Sequence, residues 1–571
     1  MEAAPKPDSA SGDLSRCFSP RLAAGLSLLT AGLAIYLPTL LGRLPLIRAE
    51  AMYALIPAEM LASHQWLTPT LNGVPYLDKP PLLYCLTLLA YKLLGVSDLA
   101  ARVPVFLLTL GEIWITYLIG LRLLGARSAW LGGFILATSV GFFALHVQLL
   151  TDHLITLTLA AALYFLLRWQ EKPSFRWVAL FHLTLVAGFL SKGFIALVFP
   201  LLIGALYALH LRQPRLPHLF FSPRGLALLL LLVIPWFLAA EQVHPGLLKV
   251  QLLNEQILRF MGQRQPADTY PFSLAGFWFF LALWLLPWTV LLPEALYRFW
   301  RETAAPAELR RRRLLPIWAG VIMVFFSLSS SRIEYYSLPA LPPLALILGW
   351  RVERSLAEPR DRSLTLGLLA VGLVGLSVLL WLPWLEGLCG DNRREFLGMF
   401  PLIYPVARPA TVLLPALAGL GLVAGWRRPR IALACFGSLA LVLLFFTFWT
   451  LTALSPHLSD KLPGNYLKQN AGPQDVVIME SIEEFEYGAS LAFYAGRRLL
   501  MVQRHGLPQF PYPVAPQADY LISPKQLRAI WQGPRRVFLL VDEATPPPEA
   551  YLQEALVALA VPGKYLLVNR P

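Results

Sequence analysis

The feature that most constrains this chain is a recurring apolar stretch of membrane-spanning length. A helix rises 1.5 Å per residue, so about 20 apolar residues cross the hydrocarbon core. Thirteen stretches read as spans, near 22–42, 102–121, 128–148, 153–167, 177–190, 193–209, 225–240, 274–297, 314–330, 335–350, 363–384, 409–426 and 431–450. Several are short and need cover from neighbouring helices. Composition agrees: 57% of residues are hydrophobic and 14% charged, against about 25% charged in soluble proteins. This excludes a solvated enzyme, a disordered chain and a fibre. The first stretch follows a polar leader with Lys6, Arg16 and Arg21. With no obvious cleavage site behind it, it reads as a signal anchor.

The net charge of +14 would suggest a nucleic-acid partner in a soluble protein. Here its placement matters. With a cytoplasmic N-terminus, the cytoplasmic segments hold 24 Lys/Arg and 9 Asp/Glu, including Arg310, Arg311, Arg312 and Arg313. The external loops hold 13 and 12, and the tail after 455 holds 11 of each. Nearly all the excess lies on one side, the positive-inside pattern. The charge therefore reports topology and the nucleic-acid reading is dropped. Thirteen spans place the C-terminus outside. Cys17, Cys85, Cys389 and Cys435 are too scattered for a disulfide framework or a zinc site.

Two external regions do not read as spans. In 43–101, an amphipathic run Tyr53 to Leu61 and an apolar run Leu82 to Leu94 fit helices lying in the interface plane, with a Pro- and Gly-rich turn between them. In 241–273, Glu255 and Arg259 form a helical i, i+4 pair. After 455 the runs DVVIME, RRLLMV, ADYLIS, RVFLLV and KYLLVN look like short strands separated by helix-like stretches. Segment 1–15 reads as disordered. The expectation is a polytopic α-helical membrane domain, 1–450, with 43–101 as its first external loop. A small external α/β domain, 451–571, follows.

Charged residues beside lipid are costly and so are candidates for function. On the external side these are Arg48, Glu50, Asp78, Lys79, Asp152, Lys192, Arg259, Arg264, Arg332 and Glu334. Many cations with a few carboxylates suit an anionic lipid headgroup. The carboxylates could be a general base or sugar ligands. Glu50 and Asp152 could equally cap helix N-termini, where an acid suits the dipole. Tyr335 and Tyr336 could be ordinary interface aromatics. His64, His146 and His153 show no ligand spacing, and Glu112 is the one mid-span acid that suggests a transport site. In Trp66 to Leu86, WLTPTLNGVPYLDKPPLLYCL, Pro80 and Pro81 fix the start of the short helix and so the direction of Lys79.

At these residues the chain resembles a known family. It is similar to the lipid-linked-sugar glycosyltransferases of the C-type fold, in the aminoarabinose transferase and protein O-mannosyltransferase group (family 39). Four further passages carry the likeness: EAMYALIPAEML (Glu50 to Leu61), LLTDHLITL (Leu149 to Leu157), GFLSKGFIALVFP (Gly188 to Pro200) and SRIEYYSLPALPPLALILG (Ser331 to Gly349). The likeness covers roughly 45–350. It implies a C-type fold of about 13 transmembrane helices and an enzyme that takes a sugar from a polyprenyl-phosphate donor. The acceptor would be lipid A, another lipid, a glycan or a protein. The implied location is a bacterial inner membrane with a periplasmic C-terminus. The family's phosphate-binding lysine maps to Lys79, with Tyr76 and Asp78 beside it. Its second acidic position maps to Asp152, and its aromatic pair to Tyr335 and Tyr336.

The expected site therefore has Glu50 and Asp152 as catalytic carboxylates. Lys79, Arg259, Arg264 and Tyr76 would hold the donor phosphate. Tyr53, Asp78, Lys192, Arg332, Tyr335 and Tyr336 would line the substrate. No cofactor is expected and no metal motif is read, although related enzymes often use a divalent ion. One departure stands out: the family's first-loop Asp aligns with Ala49, and the Arg after it with Met52. Either Glu50 and Arg48 take over that role, or the site is altered or silent. A transporter or flippase of lipid-linked sugar is the other alternative.

Overall fold

The structure is a computed structural model and describes residues 20–42, 44–76, 78–265, 272–302, 306–358, 360–381, 393–426, 428–481, 488–503, 520–542 and 555–571. The expected disordered leader and the last residues of stretch 363–384 lie outside these.

The chain opens with α1 (Pro20–Leu41) and α2 (Arg48–Ser63), then a two-stranded hairpin, β1 (Thr70–Leu71) and β2 (Val74–Pro75). Helices α3 (Leu82–Leu94), α4 (Asp98–Leu123), α5 (Ala126–Ala137), α6 (Val140–His146), α7 (Asp152–Glu171), α8 (Phe175–Lys192) and α9 (Ile195–Leu211) follow. After α10 (Pro217–Phe220) and α11 (Pro223–Val243) comes a π-helical segment, Lys249–Leu258. The second half of the helical part holds α12 (Leu274–Trp284), α13 (Leu292–Arg301), α14 (Pro306–Arg312), α15 (Leu314–Leu328), α16 (Leu341–Ala357), α17 (Ser363–Trp381), α18 (Arg393–Gly425) and α19 (Pro429–Leu458).

Among the described residues, five helices are long and apolar enough to cross a membrane, or seven if two bent pairs each count as one span. Stretch 128–148 is one such pair. It bends by 57° between α5 and α6, where the Thr138 and Ser139 hydroxyls donate back to the carbonyls of Phe134 and Ile135. Stretch 274–297 bends by 103° near Pro287, which has no N–H to continue a helical ladder. Stretch 335–350 enters through a 3-10 turn, Glu334–Ala340, before α16.

Small residues let the central helices touch backbone to backbone. A Cβ on Gly349 of α16 would lie 2.4 Å from the Gly132 nitrogen of α5. Without a hydrophobic driving force inside lipid, such close packing is what holds helices together. Two residues further along α16, Arg351 pairs with Glu294 at 2.8 Å and Asp361 at 2.5 Å.

Beyond α19 come α20 (Lys461–Asn470), β3 (Val476–Ser481), α21 (Ala489–Ala495), β4 (Leu500–Gln503), β5 (Leu521–Ile522), α22 (Pro524–Trp531), β6 (Val537–Asp542), β7 (Leu556–Val561) and β8 (Lys564–Val568). They form one sheet in the order β5-β4-β3-β6-β8-β7. β5, β4, β3 and β6 run parallel, and β8 and β7 close the edge antiparallel. Each of the five strand-like runs contains a strand. β7, LVALAV, escaped sequence reading because it has no polar–apolar alternation.

The β1–β2 hairpin ties this sheet to the helical part. Its Asn72-Gly73 turn has φ of 54° and 75°, a conformation suited to Asn-Gly and to the twist of a tight hairpin. The Asn72 side chain donates to the Leu499 carbonyl at 3.1 Å and accepts from the Leu499 N–H at 2.9 Å. Glu59 of α2 holds the other side of the turn, accepting from Thr70 at 2.6 Å and from the Gly73 N–H at 3.1 Å.

Candidate functional site

The charges expected on the external side assemble into two linked ion clusters. At the centre of the first is Glu255, whose side chain is 1% exposed. It accepts from Lys79 at 3.1 Å, Arg259 at 3.0 Å and Arg264 at 2.7 Å. Arg264 also reaches Asp78 at 3.1 Å. Lys79 arrives from the turn before α3, whose N-cap is Pro81. Glu255 and Arg259 share the π-helical segment and its immediate end. Burial alone would raise the Glu255 pKa, but Lys79, Arg264 and Arg259 outweigh it and hold the carboxyl at about 2. Burial pushes Asp78 the other way, above its usual range, with Glu255 adding to the rise.

The second cluster joins α7 to α8. Lys192 donates to Asp152 at 2.6 Å and lies over the Tyr336 ring, 4.6 Å from its centroid, with Tyr335 at 5.8 Å. Gln256, next to Glu255, donates to the Lys192 carbonyl at 3.2 Å. The Gly193 turn permits this, with φ at 77° and the Gln256 amide 2.7 Å from where a Cβ would sit.

Both clusters face a cavity of about 480 Å³. Lys79, Lys192 and Arg259 supply three cations to its lining against the single carboxylate of Glu255. Tyr336, Ser329 and Ser331 add polar groups, while Phe194, Val198, Ile257, Met261, Phe325 and Phe326 make an apolar side. Ile257 and Met261 are more than half exposed, on the outside of the helical body. A larger cavity, about 1210 Å³, lies between α2, the α3–α4 turn, α20 and α21, and is lined by Glu59, Lys461, Lys468 and Arg498. Cations, carboxylate and apolar wall converge at the smaller one.

The other expected residues sit behind this cavity or away from it. Glu50 is fully engaged. It pairs with Arg102 at 2.7 Å through both oxygens, accepts from the Ile47 N–H at 3.3 Å as a helix cap, and from the Leu149 N–H at 3.2 Å. Asp152 is the first residue of α7 and buried. Arg332 is spent on carbonyls, including Phe272 at 3.1 Å. Tyr53 is buried and stacks on Tyr84, with centroids 6.0 Å apart. Tyr76 is buried at the end of the hairpin, where its N–H donates to the Pro69 carbonyl.

Sequence reading passed over three groups. Glu255 was visible only as half of an i, i+4 pair, yet it joins three cations. Arg102 was not singled out from the sequence; its partner is Glu50, 52 residues earlier. The third group corrects an expectation. His146 and His153 are not bland: with Glu112 they converge inside the helical body, and the three side chains could hold a metal ion.

Comparison with known proteins follows the same lines. Residues 78–238 match the family described as dolichyl-phosphate-mannose-protein mannosyltransferase. An undecaprenyl phosphate-alpha-4-amino-4-deoxy-L-arabinose arabinosyl transferase from Serratia proteamaculans is 31% identical over 355 residues, 61% of this chain and 62% of that one. One of the same name from Pseudomonas fluorescens is 29% identical over 398 residues, covering 67% and 70%. The chain thus matches about three fifths of the length of the first of these relatives. The crystal structure of ArnT from Cupriavidus metallidurans bound to undecaprenyl phosphate superimposes with a TM-score of 0.75 at 20% identity, over 96% of this chain and 97% of that one. The fold is therefore the C-type glycosyltransferase fold of an integral membrane protein. The comparisons and the motifs lead to the same relatives: the chain is similar to aminoarabinose transferases.

Proposed function

We propose that the chain is an integral-membrane glycosyltransferase. It takes a sugar from a polyprenyl-phosphate donor and passes it to a lipid A, other lipid, glycan or protein acceptor at the external face. The observation that carries this reading is the 480 Å³ cavity, in which three cations meet an apolar wall on the outside of the helical body. A phosphate needs the cations and an isoprenoid needs the wall. The relatives named for undecaprenyl phosphate support the same donor class. The proposed division is a membrane domain, 1–450, and an external domain, 451–571. The charge asymmetry supports a cytoplasmic N-terminus and an external, periplasmic C-terminus. Reporter fusions at both ends, showing opposite sides, test that orientation.

The chemistry follows from the charges. Breaking the sugar–phosphate bond builds negative charge on the phosphate oxygens. Lys79 and Arg259 stabilise that charge once the phosphate has displaced Glu255 from them. The phosphate leaves ionised and needs no acid. The acceptor oxygen attacks the anomeric carbon from the opposite side, inverting it. A hydroxyl acceptor needs a base for its proton, whereas an ionised phosphate acceptor does not.

Of the two expected carboxylates, we assign the base to Asp152 and give Glu50 a positioning role. Glu50 is closed off by Arg102 and by backbone N–H groups, one of them in the turn just before Asp152. Asp152→Asn is expected to slow transfer to a hydroxyl acceptor by about 10²–10⁴-fold and to leave transfer to a phosphate acceptor nearly unchanged. Wild-type rates with a hydroxyl acceptor would remove Asp152 from the chemistry. Glu50→Ala should instead destabilise the protein by roughly 3–5 kcal/mol, because it strands the buried Arg102. A thermal melt in detergent reads this; an unchanged melt would show that the pair does not hold the fold.

A further inference from the structure

We propose that Glu112, His146 and His153 form a binding site for a divalent transition-metal ion, distinct from the donor cavity. Glu112 lies near the middle of α4, His146 ends α6 and His153 is the second residue of α7. Their side chains are completely buried.

The inward ring nitrogens carry lone pairs. Nδ1 of His146 meets the Phe142 carbonyl and Nε2 of His153 meets the Leu145 carbonyl, the latter at 2.9 Å. A carbonyl only accepts, so these outer nitrogens hold the ring protons. In the neutral rings, Nε2 of His146 and Nδ1 of His153 are then left as acceptors. Both point at the same Glu112 oxygen, at 3.5 and 3.7 Å. Among the described residues, neither atom and neither Glu112 oxygen has a hydrogen-bond partner. Three electron-rich groups facing one another in an apolar interior repel unless a cation lies between them.

The spacing fits a metal better than a shared proton. An N–H···O bond needs about 2.7–3.2 Å. Tetrahedral zinc with bonds of about 2.0–2.1 Å sets its ligands roughly 3.3–3.4 Å apart. The observed separations lie close to the second value, and all three ligand atoms fall within 4.8 Å of one another. The two imidazoles lie side by side, with centroids 3.9 Å apart, as neighbouring ligands do. Their outer nitrogens on backbone carbonyls are the support that metal-bound histidines need. Two histidines and a carboxylate leave a coordination position open. A small cavity of about 10 Å³, lined by Tyr36, Thr109 and His146, lies on the His146 side of the cluster.

Such an ion would pin α4, α6 and α7 together just inside the turn that carries Asp152. The site's test is metal content. Full-length protein purified in detergent through a histidine-free tag is stripped with chelator, exposed to zinc and desalted. About one zinc per chain should remain, and X-ray absorption should show nitrogen and oxygen ligands with imidazole scattering. Glu112→Ala and His153→Ala should each lose the ion. Wild-type protein that keeps no zinc would overturn the proposal and leave a proton-sharing cluster. So would zinc retained by both variants. If a variant does not fold, wild-type spectra without imidazole scattering are enough to overturn it.

Discussion

Lys79→Ala is expected to lower sugar transfer by about 10²–10³-fold, the usual loss when one positioned group is removed from a developing charge. The fold should survive, because Glu255 keeps Arg259 and Arg264 as partners. Lys79→Arg should recover part of the rate, since charge returns on a differently shaped head. The assay is transfer rate at saturating donor, with size-exclusion and melting profiles as folding controls. Near-normal transfer in a well-folded Lys79→Ala protein would remove Lys79 from phosphate binding.

Glu255→Gln is expected to destabilise the fold as strongly as Glu50→Ala. Glu255 holds three cations together in the lipid-free protein, and breaking a buried ionic network by removing one partner costs about 3–5 kcal/mol. A polyprenyl phosphate supplies the missing negative charge. The variant should therefore melt lower than wild type when lipid-free and gain more from added polyprenyl phosphate. Equal gains in the two proteins would mean that phosphate and Glu255 do not share the same cations.

The acid response of the wild type runs in two directions. Glu255 is depressed from 4.5 to about 2 in the fold. Its stabilising contribution is present above pH 4.5 and is lost as pH falls through about 2. Asp78 is raised above 3.8, so its contribution has the opposite sign and fades as pH rises through its folded pKa. On acidification Asp78 takes a proton first, releasing one partner of Arg264 while the Glu255 hub stays ionised. Carboxyl infrared bands during an acid titration, compared with Asp78→Asn, follow that order.

What could be read from the sequence was whatever the local pattern records. The run Leu82 to Leu94 is helix α3 to the residue, because two prolines start it and Gly95 follows it. DVVIME and RVFLLV are neighbouring parallel strands, because β-branched and aromatic residues in short runs have few alternatives. Lys79 could be singled out because Asp and Pro-Pro hold it locally. The hidden features are pairings across long stretches of chain. The Lys79–Glu255 bond joins residues 176 apart, and no spacing announces it. His153 meets Glu112 only because α4 and α7 pack side by side. The thirteen apolar stretches marked helices well but not their bends, which depend on hydroxyls and Pro287 rather than on hydropathy. The role of Glu50 was ambiguous for the same reason: its partner, Arg102, is on another helix.

The most direct test of the central claim is a transfer-or-hydrolysis assay on detergent-purified protein with a panel of polyprenyl-phosphate sugars. Released polyprenyl phosphate is read by mass spectrometry, with no membrane and no gradient. The account predicts release from at least one donor, dependent on Lys79, which would also show that Ala49 and Met52 are compatible with catalysis. Donor binding without release from any sugar, with lipid A, lipid, glycan and peptide acceptors all supplied, would contradict it and point to a silent lipid-sugar binder.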